Sequence, residues 1–421
     1  MTSVAIRLVA RAPFFYGWVI LACVCLAGFA RQGPAVATLS IFVEPMTREF
    51  GWSRAALSGA VSLGGVLAAL TSPVIGPVLD RRGARLILCI AVSVTGAATM
   101  LLSLTPSLTV FYVLFCVARM NFAGTFDLGI YGALNSWFVA RRAFATSIAN
   151  LAQMAGLVIL PLLAHLAMQH RGWRAGWLAV GAAVLLVGLL PTWLLMVARP
   201  EDVGLQPDRN PAGASGGPVI AEPSFSRGEA MRTPAFWLLS LYTLVVYPVQ
   251  AGVSLHQAPY LIERGLSAGV AATIVSSFSL ISGLAGLAFG LLARRIGTRA
   301  GLGLAAAFLT VSAAAMLAIA TPLHAYLAAG CFGLGIGGLL TVLPLAWADY
   351  FGRASFGAIR GAALTVQVTA QASGPLLSGV LRDRTGDYVT SLTCFAALAF
   401  VGALVALLIR APRPPRHTLP A

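Results

Sequence analysis

Two ten-residue stretches decide how this chain folds: "GPVLDRRGAR" at residues 76–85 and "GLLARRIGTR" at residues 290–299. They stand 214 residues apart (290 − 76), and at that displacement Gly76 repeats as Gly290, Gly83 as Gly297 and Arg85 as Arg299. Further along, Gln153 repeats as Gln367 and Gly172 as Gly386. A glycine-bounded basic turn that recurs with its flanks marks a duplicated unit, because glycine at fixed places reflects a tight turn or a close helix contact that other residues would not permit. Arg81 matches Arg295, but the second copy has Arg294 where the first has Asp80, so the two turns differ in charge.

Each turn lies between long apolar blocks. Of 421 residues, 58% are hydrophobic and only 10% charged, and the mean hydropathy is +0.87. Soluble domains carry about 25% charged residues, so the chain is expected to be an integral membrane protein. Blocks of about 20 apolar residues suit helices crossing ~30 Å of hydrocarbon, and the ~10-residue alternation of a transmembrane barrel is absent. The runs predict twelve spans, near residues 14–43, 54–79, 86–105, 108–136, 143–168, 175–198, 236–258, 269–293, 300–320, 323–347, 359–381 and 389–409. The expected fold class is an all-α membrane protein of two pseudo-symmetric six-helix bundles, residues 1–198 and 236–421. A Pro-, Gly- and charge-rich linker, 199–235, joins them.

The formal net charge of +15 raises the question of nucleic acid. All 28 basic residues are arginines, and nineteen fall in the tails and alternate loops on one side, against seven on the other. That asymmetry is how topology is written in membrane proteins, and it predicts both termini on the cytoplasmic side. Nucleic acid is thereby discounted. The six cysteines sit in apolar segments without metal-ligand spacing and read as small hydrophobes. Tyr16 and Trp18 read as interfacial anchors.

Parallel duplication of a six-helix unit is a carrier architecture, with the substrate site near the bilayer midplane. Here the motifs add a resemblance. "GPVLDRRGAR" is similar to the loop between helices two and three of the major facilitator superfamily, and the likeness extends over nearly the whole chain. "FFYGWVI", "EPMTREFGWSRAALS", "SWFVARRAFATSIANLAQMAG", "RPEDVGLQPD", "GVSLHQAPYLIERGLS" and "FGAIRGAAL" resemble the monocarboxylate-porter and oxalate/formate-exchanger branch, its bacterial members above all. The resemblance implies transport of a small organic anion, a mono- or dicarboxylate, by alternating access across a bacterial inner membrane, as symport with protons or as anion exchange (antiport). The loop residues Gly76, Asp80, Arg81, Gly83, Arg85, Gly290, Arg294, Arg295, Gly297 and Arg299 are implied to serve the conformational change. One departure matters: the charged residues the branch carries on helix eight are missing, with Ser282 and Gly286 in "SFSLISGLAGLAFG" at the aligned places, helix eleven is uncharged beyond its ends, and the chain has no lysine.

The polar groups inside spans are the candidate site. Arg31 is eighteenth in a 30-residue span (43 − 14 + 1). A guanidinium there is costly unless it faces protein, water or an anion, and its fork suits a carboxylate. Two readings stand: substrate counter-ion with Gln32 beside it, or an arginine that snorkels or is paired structurally. Gly33 and Pro34 are positioned to bend the helix and free carbonyls. In span four, Arg119 and Asp127 lie eight residues apart, near two turns. Arg119 matches an arginine carried by many proton-coupled members, though Gly124 stands one residue off the usual spacing. Asp127 reads as a proton carrier, as a partner of Arg119, or as a residue near the membrane boundary. His256 reads as a proton-coupling or carboxylate-binding group with Gln257, or as a satisfied interfacial histidine. Gln153, Gln367 and Gln371 read as cavity lining or as helix-to-helix hydrogen bonds.

Enzyme chemistry finds no support: there is no histidine cluster, nucleophile elbow or phosphate-binding loop, and "GLGIGG" at 333–338 lies in an apolar span without the βαβ context of a dinucleotide site. The alternatives kept are a drug or other small-molecule efflux carrier and, more remotely, a non-transporting membrane sensor. The expected partners are the organic anion, protons and membrane lipids, for a monomer with no cofactor and no metal.

Overall fold

The computed structural model describes residues 3–208 and 223–414, so part of the 199–235 linker lies outside the described residues. The apolar blocks become helices, and among the described residues the only β pairing is an isolated bridge between Phe138 and Asp208. Helices prevail because hydrocarbon offers no partner to backbone N–H and C=O groups, which must then be satisfied within the segment. Leucines and valines such as Leu70, Val74, Val158 and Leu376 stand exposed on the helices, as lipid-facing positions do.

Eleven helices among the described residues are long and apolar enough to cross a membrane. The remaining expected span falls in helix Phe356–Thr385, which has the length, at 30 residues. It carries Arg360, Gln367 and Gln371 within its body, and it is not among the eleven.

The chain divides into two compact units. The first comprises Met1–Glu222 with Arg353–Thr365, and the second Pro223–Gly352 with Val366–Ala421. In the first unit the opening span is broken: helix Gly17–Arg31 stops at Arg31, residues 32–35 form a turn, and helix Val36–Phe50 resumes. Pro34 supplies no N–H to continue the ladder. Helix four is interrupted differently, with a π-helical turn, Asn121–Thr125, between Leu108–Met120 and Phe126–Trp137.

The segment Arg353–Thr365 is bound into the first unit by several contacts. The Asp80 carboxylate accepts from the backbone N–H groups of Gly357 (2.7 Å) and Ala358 (2.8 Å), first-turn donors that have no partner within their own helix. Thr365 donates to the Ala69 carbonyl (2.7 Å), and Arg353 pairs with Glu201 (2.7 Å). Gly76 and Gly357 bring two backbones so close that a Cβ on either would overlap the other's carbonyl. Tyr16 sits deeper than an interfacial anchor: it is buried and donates to the Leu195 carbonyl at 2.8 Å, while Trp18 packs on Phe138.

The duplication is visible in the backbone. Gly83 and Gly297, each where two helices meet, have φ/ψ of 77°/164° and 74°/159°. Gly172 and Gly386 are likewise at positive φ, and so are Gly51 and Gly265, a pair at the same displacement. The region occupied by Gly83 and Gly297 is essentially closed to residues with a Cβ. Gly297→Ala, whose Cβ meets nothing within 4 Å, is expected to cost about 1–3 kcal/mol. Gly83→Ala is expected to cost more, because its Cβ would also lie 2.6 Å from that of Ala198. Melting temperatures of the two variants in detergent check the order, and equal losses would show that backbone strain alone decides.

Candidate functional site

The break after Arg31 and the π turn after Met120 belong to the same site. Arg31 is the last residue of its helix, and its guanidinium donates from Nε to the Phe122 carbonyl (2.8 Å), inside the π turn, and from Nη1 to Gln153 Oε1 (2.9 Å). Gln153 Nε2 donates to Asn150 Oδ1 (3.1 Å), which also accepts from the Tyr131 hydroxyl (2.9 Å). Arg31 therefore begins a polar chain running Arg31, Gln153, Asn150, Tyr131.

Arg119 comes to the same place from helix four. Its Nη1 reaches the Pro34 carbonyl at 3.5 Å, a long contact, and its Nε is buried without a hydrogen-bond partner among the described residues. Both guanidiniums lie against one ring: Cζ of Arg119 is 4.1 Å and Cζ of Arg31 4.7 Å from the Phe122 centroid. Cation–π attraction holds each cation there, and the two cannot be farther apart than the sum of those distances. Neither has a carboxylate within ion-pair distance among the described residues. Both side chains are half-buried.

Two glycines make room for this cluster. A Cβ on Gly64 would meet the Arg119 stem at 2.6 Å, and one on Gly28 would meet Gln153 Cγ at 2.9 Å. The π turn also accounts for the spacing of Gly124 after Arg119. A π bulge accommodates one extra residue in a helix, so a glycine one position late still packs, here against Ser72 and Ala68.

Asp127 is not the partner of Arg119. It is 4% exposed and pairs with Arg360, which is 1% exposed, at 3.2 Å from both Nε and Nη2 to Oδ1. The eight-residue spacing suggests one helix face, but the π turn between Arg119 and Asp127 changes the phase of the helix. Arg360, which stands near the start of the apolar run at 359–381, is buried, on a helix remote in sequence from helix four.

Gln32 is buried, and its backbone carbonyl accepts from Thr38 Oγ1 (3.0 Å) and the Ala35 N–H (3.1 Å) across the break. Of the turn residues, Arg85 donates to the Trp193 carbonyl (2.8 Å), Gly290 is buried, and Arg81, Arg295 and Arg299 are exposed. The side chain of Arg294 lies outside the described residues.

In the second unit, His256 joins two other segments. Its Nε2 donates to the Pro375 carbonyl (3.2 Å), so that Nδ1 of the neutral ring accepts from the Tyr388 hydroxyl (3.2 Å). Gln257 is buried, with Oε1 lacking a partner among the described residues. Beside them is a cavity of about 10 Å³, enough for a single water, lined by His256, Gln257, Tyr260, Ser378, Tyr388 and Ser391. Gln371 donates to Gln250 Oε1 (3.2 Å), and Gln367 is buried on the same helix. Among the described residues no cluster of His, Cys, Asp or Glu is arranged to hold a metal.

This arrangement, a broken first span and a π turn that together carry two guanidiniums in a bundle of membrane helices, belongs with what comparison finds. Residues 18–270 match the Major Facilitator Superfamily model. The chain belongs to that superfamily, whose members are transporters. Monocarboxylate transporter 11 of Mus musculus is 25% identical over 408 residues, 93% of this chain and 86% of that protein. The oxalate:formate antiporter of Oxalobacter formigenes is 26% identical over 376 residues, 86% of this chain and 85% of its own. The membrane sensor protein UhpC of Salmonella typhimurium is 28% identical, over 49% of this chain and 48% of its own. The crystal structure of the superfamily transporter FucP in the outward conformation superposes with a TM-score of 0.67 at 14% identity, covering 94% of this chain and 99% of that one, and shares the fold. The transporter is thus a multi-pass membrane protein.

Sequence reasoning did not find Phe122, Asn150, Tyr131 or Arg360. Phe122 looks like any apolar residue of a span, and only the broken helices reveal what its ring and carbonyl hold. Removing one partner of a buried ion pair strands a charge, so Asp127→Asn is expected to destabilise the transporter by about 3–5 kcal/mol. Asp127→Leu combined with Arg360→Met is expected to recover more than half of that. Thermal unfolding of the two variants in detergent tests this, and a double variant no more stable than Asp127→Asn would show that the pair does not act as a unit.

Proposed function

We propose that this transporter is a secondary carrier of a small organic anion, a mono- or dicarboxylate, acting by alternating access in a bacterial inner membrane with both termini in the cytoplasm. The observation that carries the reading is the cluster at Phe122, where two guanidiniums face each other's charge with no carboxylate to neutralise them among the described residues. A cation inside a membrane bundle is tolerated where it meets water or an anion, and a carboxylate is the ligand whose geometry matches a guanidinium. A carrier of cationic drugs is disfavoured by the same cluster, which would repel its cargo.

In this reading Arg31 is the substrate counter-ion, and its hydrogen bonds to Gln153 and the Phe122 carbonyl fix the guanidinium plane before the anion arrives. Residues 1–198 and 236–421 are the two halves of the carrier. The names of two relatives, a monocarboxylate transporter and an oxalate:formate antiporter, support the anion class. Proton coupling, in this reading, rests with His256 and not with Asp127, whose carboxylate is held by Arg360.

The test is uptake of radiolabelled small carboxylates into proteoliposomes. Arg31→Gln removes a charge-assisted contact of about 1.5–3 kcal/mol and is expected to weaken apparent substrate affinity by about 10- to 100-fold. Uptake with unchanged KM in that variant would refute the assignment of Arg31, and failure of every carboxylate to enter vesicles or to stabilise the protein would refute the anion reading.

A further inference from the structure

We infer that the cluster at Phe122 is built for a doubly charged anion, a small dicarboxylate held between Arg119 and Arg31; this rests on the proposed anion-carrier reading and narrows it. The argument begins with charge balance inside the first unit. Asp127 and Arg360 neutralise one another. Arg31 and Arg119 stand together, two positive charges against one aromatic ring, with no carboxylate within ion-pair distance among the described residues. Two like charges at such close quarters in a partly desolvated site repel strongly, and a monoanion compensates only one of them. A dianion compensates both.

The hydrogen-bond donors agree. Arg31 commits Nε to the Phe122 carbonyl and Nη1 to Gln153, which leaves Nη2 for a ligand. Arg119 commits only Nη1, and weakly, to the Pro34 carbonyl. Its Nε–H is buried without a partner. Nε and Nη2 form the side of the guanidinium fork that takes both oxygens of one carboxylate. One carboxylate of the ligand therefore takes the unpaired Nε side of Arg119, and the other accepts from Arg31 Nη2. The first satisfies a donor that is otherwise stranded, which a protein seldom tolerates without a functional reason. Arg119 then acts as the residue that selects for charge, and Arg31, already anchored by Gln153, as the one common to any anion.

The experiment is a thermal-shift titration of the purified full-length protein in detergent, at constant ionic strength and pH 7.5. Succinate and malonate serve as dianions, acetate and lactate as monoanions. The dianions are expected to bind at least about 10-fold more tightly, the effect of one additional charge-assisted contact. In Arg119→Gln the dianion-to-monoanion preference is expected to collapse toward one. Arg119→Lys, which keeps the charge but not the fork, should retain an intermediate preference, and Arg31→Gln should weaken both classes. Should the Arg119 variants not fold, the wild-type protein decides the matter. Lowering the pH through the second ionisation of succinate should then weaken succinate binding while acetate, still ionised, holds its affinity. Equal affinity for the two classes in the wild type, or a preference that survives Arg119→Gln, would overturn the inference while leaving the anion reading intact. Binding of neither class would overturn the anion reading itself.

Discussion

A guanidinium carried into a membrane must find a counter-charge, a polar cradle or water, and that constraint shapes the interior of the first unit. Arg360 solves it with Asp127, in a pair almost without exposure. Arg31 and Arg119 solve it with neutral groups: carbonyls freed by a helix break and a π turn, the amide of Gln153, and the face of Phe122. In a regular helix each carbonyl already accepts from the N–H four residues on, so a carbonyl released by a break or a π turn offers a cation its full acceptor capacity. The irregular backbone at residues 32–35 and 121–125 supplies the Pro34 and Phe122 carbonyls that face the two cations. Non-helical backbone within the membrane is tolerated where it is buried in protein or lines a cavity.

Much of the fold was legible in the sequence because it rests on signals that survive without an alignment. Hydrocarbon thickness fixes the length of an apolar run, and glycine at positive φ is irreplaceable, so the turns at Gly83 and Gly297 announce one duplicated unit. The Gly51 and Gly265 pair obeys the same rule, within flanks, "REFGWS" and "IERGLS", that share a glutamate and a serine besides the glycine. The span at 359–381 was legible as an apolar run, although its helix, which carries Arg360, Gln367 and Gln371, is not among the eleven apolar enough to count as membrane-crossing.

The site was legible in its charges and illegible in its partners. Arg31, Arg119, Asp127 and Gln153 stand out in an apolar chain, whereas pairing depends on helix phase. One extra residue in helix four, absorbed by a π turn, is enough to separate Arg119 from Asp127. Arg360 carries no local sign of burial: it follows a loop, in a stretch whose glycines and alanines suit either a loop or a close helix contact. What distinguishes it is a carboxylate 233 residues away in the chain.

The bare surfaces of Gly28 and Gly64 have a different kind of consequence. The stems of Gln153 and Arg119 lie across them, so the direction in which each polar head points is set by a residue that carries no charge and makes no hydrogen bond with its side chain. Enlarging either glycine by a single carbon would re-aim a polar group of the cluster while leaving the charge inventory of the bundle untouched. If this cluster binds the substrate as proposed, its preference is open to retuning by drift at two silent-looking positions, without passing through an intermediate that has lost a cation.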